Sequence, residues 1–230
     1  MSPVLPRIDP RIAEIAPGFR AISITVAAGP LLYPDVARAR LARACESLLA
    51  SRPEWGETHF TAWAEVFRRF GAKAQRTPNS AQALYQRVQR GGSLPTIDPV
   101  VDLYNATSLM YGVPIGGENY GAYVGMPHLT IADGSERFDT VKEGIIIQES
   151  PAPGEVIWRD EQGVTCRRWN WRQGVRTRLD ATAQQMWFIL ESLPPMPLEA
   201  LQAAANDLVE GLLQMMPDAR IAQHLIDTRA

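Results

Sequence analysis

The chain has 230 residues, and its 23 basic and 25 acidic side chains give a formal net charge of −2. Hydrophobic residues make up 46% and charged residues 21%, proportions that are ordinary for a globular protein and exclude a disordered, collagenous or coiled-coil chain. The charge excludes a molecule-wide basic field for nucleic acid, and no segment approaches the roughly 20 apolar residues of a membrane span.

Helices are predicted for most of the first half of the chain. A β-branched, half-alternating segment predicts a strand over residues 19–27. Apolar residues at helical spacing predict a short helical turn at residues 12–15 and four helices over residues 36–51, 57–70, 81–90 and 100–111. Asp35 and Ser80 are expected to cap the first and the third of these four helices.

Short strands are predicted next, and helices return at the end. Segments bounded by turn residues predict strands at residues 128–132, 144–148, 155–159 and 164–172. Helices are predicted at residues 182–193, 198–214 and 219–228. This order predicts an α+β fold, in which a mixed β-sheet core is flanked by helices and carries additional N- and C-terminal helices.

Several kinds of chemistry lack a sequence pattern. The three histidines (His59, His128 and His224) and the two cysteines (Cys45 and Cys166) have no metal-ligand spacing, so we expect no metal and no cofactor. The glycine-rich segment 112–125 matches no dinucleotide or phosphate-loop pattern, and no serine-hydrolase elbow is present. Without a disulfide framework or an apolar secretory signal, a cytoplasmic location is expected.

An arginine-rich segment is the first place to look for an anion site. Residues 164–178 contain five arginines and no acid. If residues 165–172 form one strand, Arg168, Asn170 and Arg172 share a face with Cys166, and such a row of donors suits a phosphate, a carboxylate or an ester carbonyl. The alternative is a solvated ladder in which arginine stacks on neighbouring tryptophan. Cys166 itself is either a nucleophile or, as is more common, a buried inert thiol.

The segment Gly116-Gly117-Glu118-Asn119 is the second candidate. Two successive glycines can turn backbone N–H groups toward an anion or an oxyanion, and Glu118 would then act as a base or bind an amino group. The alternative is a tight turn with a surface glutamate. Asp102 and Asn105 share one helix face, and one of them is expected to hold the 116–117 loop. For His128, a structural role is expected over a catalytic one.

Two stretches of sequence together resemble a known family. They are residues 94–105 (LPTIDPVVDLYN) with 112–119 (GVPIGGEN), and residues 154–156 (GEV) with 166–172 (CRRWNWR). The chain resembles free-standing B3/B4 domain proteins, which are related to the tRNA-editing module of the phenylalanyl-tRNA synthetase beta subunit. The resemblance covers about residues 58–193 of a single domain spanning 1–230, with 1–57 and 194–230 as elaborations.

The resemblance implies a pocket for an aminoacyl-adenosine and a trans-acting hydrolase of misacylated tRNA. It implies tRNA, through its 3′ aminoacyl end, or a small aminoacyl ligand as the partner, and neither DNA nor a membrane. The expected catalytic residues are Asn170, Glu118, Gly116 and Gly117, and the expected substrate-binding residues are Arg168, Arg172, Asn105 and Trp169.

Two departures from the synthetase pattern keep other functions open. Gly116 stands where the synthetase family has a histidine, and the run that begins at Gly163 continues without the synthetase glutamate. These departures favour a non-catalytic module that binds an amino acid, a nucleotide or RNA. A hydrolase of small aminoacyl or amide compounds is a third possibility.

Overall fold

The structure is a computed structural model that describes residues 2–73 and 75–228. Within them the chain forms α-helices at Ile12–Ile15 (α1), Asp35–Ala50 (α2), Gly56–Arg69 (α3), Ser80–Gly91 (α4), Pro99–Tyr111 (α5) and Leu198–Met215 (α6). Asp98 caps α5, because its side chain accepts from the backbone N–H groups of Val100 and Val101. Asn79, not the predicted Ser80, caps α4, and Asp35 lies in the first turn of α2 after Pro34.

The strands form two sheets and a separate hairpin. The four-stranded sheet has the order β11 (Arg220–Asp227), β2 (Arg20–Ala27), β10 (Gln185–Ser192), β3 (Ile115–Asn119). The five-stranded sheet has the order β1 (Arg7–Ile8), β4 (His128–Ile131), β7 (Val156–Arg159), β8 (Val164–Arg167), β9 (Arg172–Gln173). The hairpin pairs β5 (Phe138–Lys142) with β6 (Ile145–Glu149).

The four-stranded sheet is the central layer and is covered on both faces. On one face, Ile24 of β2 and Phe188 of β10 pack in a core with Leu103 of α5 and the apolar side of α6. On the other face, Trp187 packs in a second core with Trp158 of the five-stranded sheet. This arrangement confirms the predicted α+β class. None of the helices in the described residues is long and apolar enough to cross a membrane.

Two predicted helices are strands, so those predictions are wrong. Residues 185–192 form the long central strand β10, which pairs with β2 and β3. Residues 220–227 form the edge strand β11, which pairs with β2. Strand β10 is buried on both faces and carries a continuous apolar run, which does not differ in periodicity from a buried helix, whereas β11 is an edge strand whose residues are exposed or half-buried.

The predicted strand over residues 164–172 is confirmed for residues 164–167 and wrong beyond them, because the chain turns after Arg167. Arg168 and Trp169 adopt positive φ angles of 47° and 65°, which no strand contains. The chain then resumes as β9, antiparallel to β8. Arg168, Asn170 and Arg172 therefore do not share one strand face.

Candidate functional site

A cavity of about 220 Å³ lies where β3, α4, α5 and the turn at residues 168–171 meet. Its volume corresponds to roughly seven water molecules, which suits a small ligand or one end of a larger one. Six of the eight residues predicted for the site line it: Asn105, Gly116, Gly117, Glu118, Trp169 and Asn170. Tertiary structure thus brings together segments that lie about 50 residues apart in the chain.

The two predicted arginines do not line the cavity. The Arg168 guanidinium carbon lies 4.4 Å from the centre of the Trp171 ring, and its Nε lies 3.8 Å from a carboxylate oxygen of Glu155. The Arg172 guanidinium donates to the backbone carbonyl of Val141 in the hairpin, at 3.3 Å. Both arginines contact the ring of Trp171, which is itself a wall of the cavity.

The two glycines of β3 have different steric roles. Gly116 lies on the same sheet face as Glu118, and a β-carbon there would meet Ile189, a cavity residue, at 3.1 Å. A β-carbon on Gly117 would lie 2.7 Å from the Tyr104 ring of α5. Because Ile189 and Tyr104 both line the cavity, each glycine avoids a clash at the cavity wall, and Gly117 also permits close approach of α5. The alternative of a tight turn at these glycines is wrong, because they lie within a strand.

Their backbone amides also differ. Gly117 directs its carbonyl away from β10 and accepts from Gln173 Nε2 at 2.7 Å. Because the N–H and C=O of one residue point to the same side of a strand, the Gly117 N–H is also directed away from β10. Gly116 pairs with Ile189, so its N–H belongs to the sheet. An oxyanion donor from this segment would be Gly117.

Glu118 is a buried carboxyl at one end of the cavity. It is 4% exposed, so it is not the surface glutamate of the alternative interpretation. Burial raises its pKa to about 8, although the side chains of Thr177 and Gln173 act in the opposite direction. Its Oε2 atom has no hydrogen-bond partner among the described residues. An unpaired buried acceptor is costly, so a ligand that supplies a donor would relieve that cost.

A second buried carboxyl, Glu191 of β10, is a site residue that the sequence analysis missed. It is 1% exposed and accepts from Trp158 Nε1 at 3.0 Å, Trp169 Nε1 at 2.7 Å and Asn170 Nδ2 at 3.0 Å. Burial raises its pKa to about 7, against the opposing effect of these three donors. The sequence does show one acid, Glu191, directly after the apolar run MWFIL, and an acid in that position can indicate a buried carboxyl. The predicted helix over residues 182–193 placed this acid near a helix end instead.

Asn170, which also lines the cavity, has a second unpaired acceptor. Its Nδ2 is engaged by Glu191, whereas its Oδ1 is buried and has no partner among the described residues. Glu118 is opposite Trp187 in the sheet, and Glu191 is four residues further along β10. At the strand rise the two carboxyl-bearing positions lie roughly 13 Å apart. The cavity therefore has an acceptor near each end.

Buried ion pairs fix the turn that presents Asn170. Arg167 donates to Glu155 at 2.9 and 2.8 Å and to Glu149 at 3.0 Å. Glu155 also accepts from the backbone N–H of Arg168 at 3.0 Å, and the Asn170 carbonyl accepts from the Ser80 N–H at 3.1 Å. Glu155 is thus a buried partner, although such a residue at a strand start looks like an edge charge in the sequence.

Other predicted residues have structural positions. The carboxylate of Asp102 accepts from the Ile97 N–H at 2.9 Å, so it holds the segment before α5 and not residues 116–117. His128 lies in β4, outside the cavity lining, and burial lowers its pKa. Cys166 lines the cavity, but burial raises its pKa well above the usual value, which opposes thiolate formation.

The walls of the cavity are aromatic and lack cations. Besides Trp169, the lining includes Tyr104, Trp158, Trp171 and Trp187, and no arginine or lysine of the described chain belongs to it. Nor do the described residues contain a cluster of three or more metal-ligating side chains. The cavity thus suits a ligand group with an apolar part and N–H or O–H donors, and it does not suit a phosphate.

The fold and this cavity define an α+β protein with a small, tryptophan-lined cavity flanked by buried carboxyl groups. The sequence matches the family model of the B3/4 domain over residues 62–211, and the chain belongs to that family. The resemblance drawn from the sequence is confirmed.

Solved structures also match. One is an N-terminal fragment of the phenylalanyl-tRNA synthetase beta-subunit from Pyrococcus horikoshii, with 12% sequence identity and a TM-score of 0.49. The match covers 96% of the present chain and 51% of the other, so this chain spans about half the length of that fragment. No curated protein matches the chain.

Proposed function

We propose that the protein hydrolyses the ester bond of misacylated tRNA in trans, with the aminoacyl group in the cavity. The observation that carries this proposal is the pair of unpaired buried acceptors, Glu118 Oε2 and Asn170 Oδ1, on two residues that line a cavity with aromatic walls. An aminoacyl ester supplies an ammonium group and an apolar side chain, which match these two features. Membership of the B3/4 family, which includes a tRNA synthetase module by the resemblance above, supports tRNA as the carrier.

Glu118 is assigned to the ammonium group and Asn170 to the attacking water. The ammonium nitrogen and a water placed for attack on the ester carbon lie roughly 4–5 Å apart. A hydrogen bond of about 2.8 Å at each end extends this span to about 10 Å. Asn170 is hydrogen-bonded to Glu191, and the positions of Glu118 and Glu191 lie about 13 Å apart along the strands, which leaves room for this span once the side chains reach inward.

Asn170 serves here as an acceptor and not as an oxyanion donor, because its Nδ2 is already engaged by Glu191. Its Oδ1 accepts one hydrogen of the water and thereby orients the lone pair toward the ester carbon. The water oxygen forms the new C–O bond, the ester C–O bond breaks, and the departing ribose oxygen takes up a proton from the water. The products are a free amino acid and a tRNA with a free terminal hydroxyl.

The test is a deacylation assay with a panel of mischarged tRNAs. Wild-type protein should release the amino acid from at least one of them faster than the uncatalysed ester hydrolyses. The Asn170→Ala variant should slow this release by about 10²-fold, the order expected when a reacting water loses its orientation. Asn206→Ala, on the exposed side of α6, is the matched control and should leave the rate unchanged. A panel without any acceleration contradicts the proposal.

A binding module without catalysis is the second candidate, and one observation favours it. The Gly116 N–H is paired within the sheet and Asn170 Nδ2 donates to Glu191, so two of the expected oxyanion donors are already occupied. Calorimetric titration with a free amino acid separates the two functions. Binding that weakens in Glu118→Gln, together with no deacylation of any tRNA, would support the binding module.

A further inference from the structure

A second concave surface lies between α3 and α4, on the side away from the cavity. It consists of two adjoining depressions that share Ala64 and Arg68 of α3 and Gln82 and Gln86 of α4. We call it the α3–α4 groove. Both small and large residues of α3 line it, and α4 contributes glutamines at helical spacing, with Gln89 continuing the row.

The α3–α4 groove concentrates positive charge in a chain of net charge −2. Arg52 lies at one end, and Arg68, Lys73 and Arg76 lie at the other, against one acid, Glu57. Four cations and one anion give the lining a net charge of +3. None of the four cations forms an ion pair within the described parts of the chain. They are exposed and available to an external anion.

The dimensions and polarity of the groove fit a nucleic-acid backbone. From Glu57 to Arg68 the wall formed by α3 has twelve residues, and the eleven steps between them span about 16 Å at the helical rise. A duplex strand carries a phosphate about every 3.4 Å along its axis, so roughly five phosphates match this length. Arginine, lysine and glutamine side chains are common phosphate and sugar contacts. Phe60, Ala64 and Tyr85 add apolar surface to the lining, and it is the four unpaired cations that favour a polyanion over an apolar protein surface.

Helix α4 separates the groove from the cavity. Ser80, Ala83 and Leu84 line the cavity, whereas Gln82 and Gln86 face the groove. A strand that lies in the groove therefore has only one helix to cross before its end reaches the cavity. Since no cation lines the cavity, the phosphates of a bound RNA must be neutralised outside it.

We infer that the α3–α4 groove binds the phosphate backbone of an RNA whose 3′ end enters the cavity. The choice of RNA over another polyanion rests on the proposed function, whereas the site itself rests on the groove. If a variant loses two phosphate contacts in the groove, the slope of the logarithm of affinity against the logarithm of salt concentration should become shallower by about 1.8.

The test measures binding of uncharged tRNA by fluorescence anisotropy at 50 and 200 mM salt, without any catalytic readout. Arg68→Gln combined with Arg76→Gln should weaken binding at low salt. Wild type should lose roughly tenfold more affinity than this double variant between the two salt concentrations. Arg220→Gln, an exposed arginine on β11, is the matched control and should bind like wild type. Unchanged affinity and salt dependence in the double variant would overturn the groove assignment.

Two further measurements separate this inference from the proposed function. Asn170→Ala should bind tRNA like wild type while its deacylation fails, and the groove variant should still hydrolyse a small aminoacyl-adenosine ester at the wild-type rate. If no substrate is hydrolysed but the groove variant loses tRNA binding, the groove inference stands and the deacylase proposal fails. Tighter binding of a duplex DNA of equal length than of tRNA would overturn the assignment to RNA.

Discussion

Replacing Glu118 by glutamine should stabilise the protein at neutral pH. Burial raises the pKa of this carboxyl from its usual 4.5 to about 8, so the folded state resists its ionisation. A carboxyl with a raised pKa contributes stability fully below pH 4.5, and this contribution is lost as pH rises through about 8. At 1.36 kcal/mol per pKa unit the loss amounts to about 3 kcal/mol at pH 7 and up to about 5 kcal/mol above pH 8.

Glutamine has nearly the same shape and cannot ionise, so the variant escapes this loss. Urea unfolding of both proteins at pH 5, 7 and 8.5 measures the effect. The free energy of unfolding of Glu118→Gln should exceed that of wild type by an amount that grows from below 1 to about 3 kcal/mol between pH 5 and pH 7. Glu65→Gln, at an exposed position of α3, should show no such difference. A Glu118→Gln curve parallel to wild type at all three pH values would refute the buried, protonated carboxyl.

Three further substitutions test the surroundings of the site. Trp169→Phe removes the indole donor 2.7 Å from Glu191 and leaves a gap in the core, so it should lower the free energy of unfolding in urea by about 2–4 kcal/mol; a neutral result would exclude this hydrogen bond. Gly117→Ala places a methyl group 2.7 Å from the Tyr104 ring and should lower the free energy of unfolding, measured by thermal unfolding, by about 1–3 kcal/mol. The control Gly91→Ala adds a methyl group that meets no atom within 4 Å, so it should not destabilise the protein. Arg167→Met leaves Glu155 buried without its ion-pair partner and should lower the free energy of unfolding by about 3–5 kcal/mol. The double variant Arg167→Met with Glu155→Met should recover part of this loss. Equal stability of the single and the double variant would argue against the Arg167–Glu155 ion pair.

Local patterns predicted the helices well because helix signals are short-range. The apolar spacing and flanking prolines and glycines placed α2 to α6 within one or two residues of their observed ends. The same holds for the strand β2, which carries β-branched residues between clear boundaries. The formation of these elements depends mainly on adjacent residues, so the local sequence was enough to predict them.

The strands β10 and β11 could not be predicted in this way. Both become strands because each pairs with one of the two edges of β2. The residues of β2 lie about 160 to 200 positions earlier in the chain than those of β10 and β11. A segment such as MWFIL is equally compatible with a buried helix, and only the partner decides.

Some features of the candidate site are visible in the local sequence, and others depend on packing between distant segments. Unusual local motifs such as Gly116-Gly117-Glu118 are visible in one segment, so they were enough to indicate the family, the fold class and six residues that line the cavity. The turn at Arg168, the position of both arginines outside the cavity and that of Glu191 at its lining depend on how distant segments pack together. Burial and unpaired hydrogen-bonding groups arise from contacts between distant segments, and no local pattern encodes them.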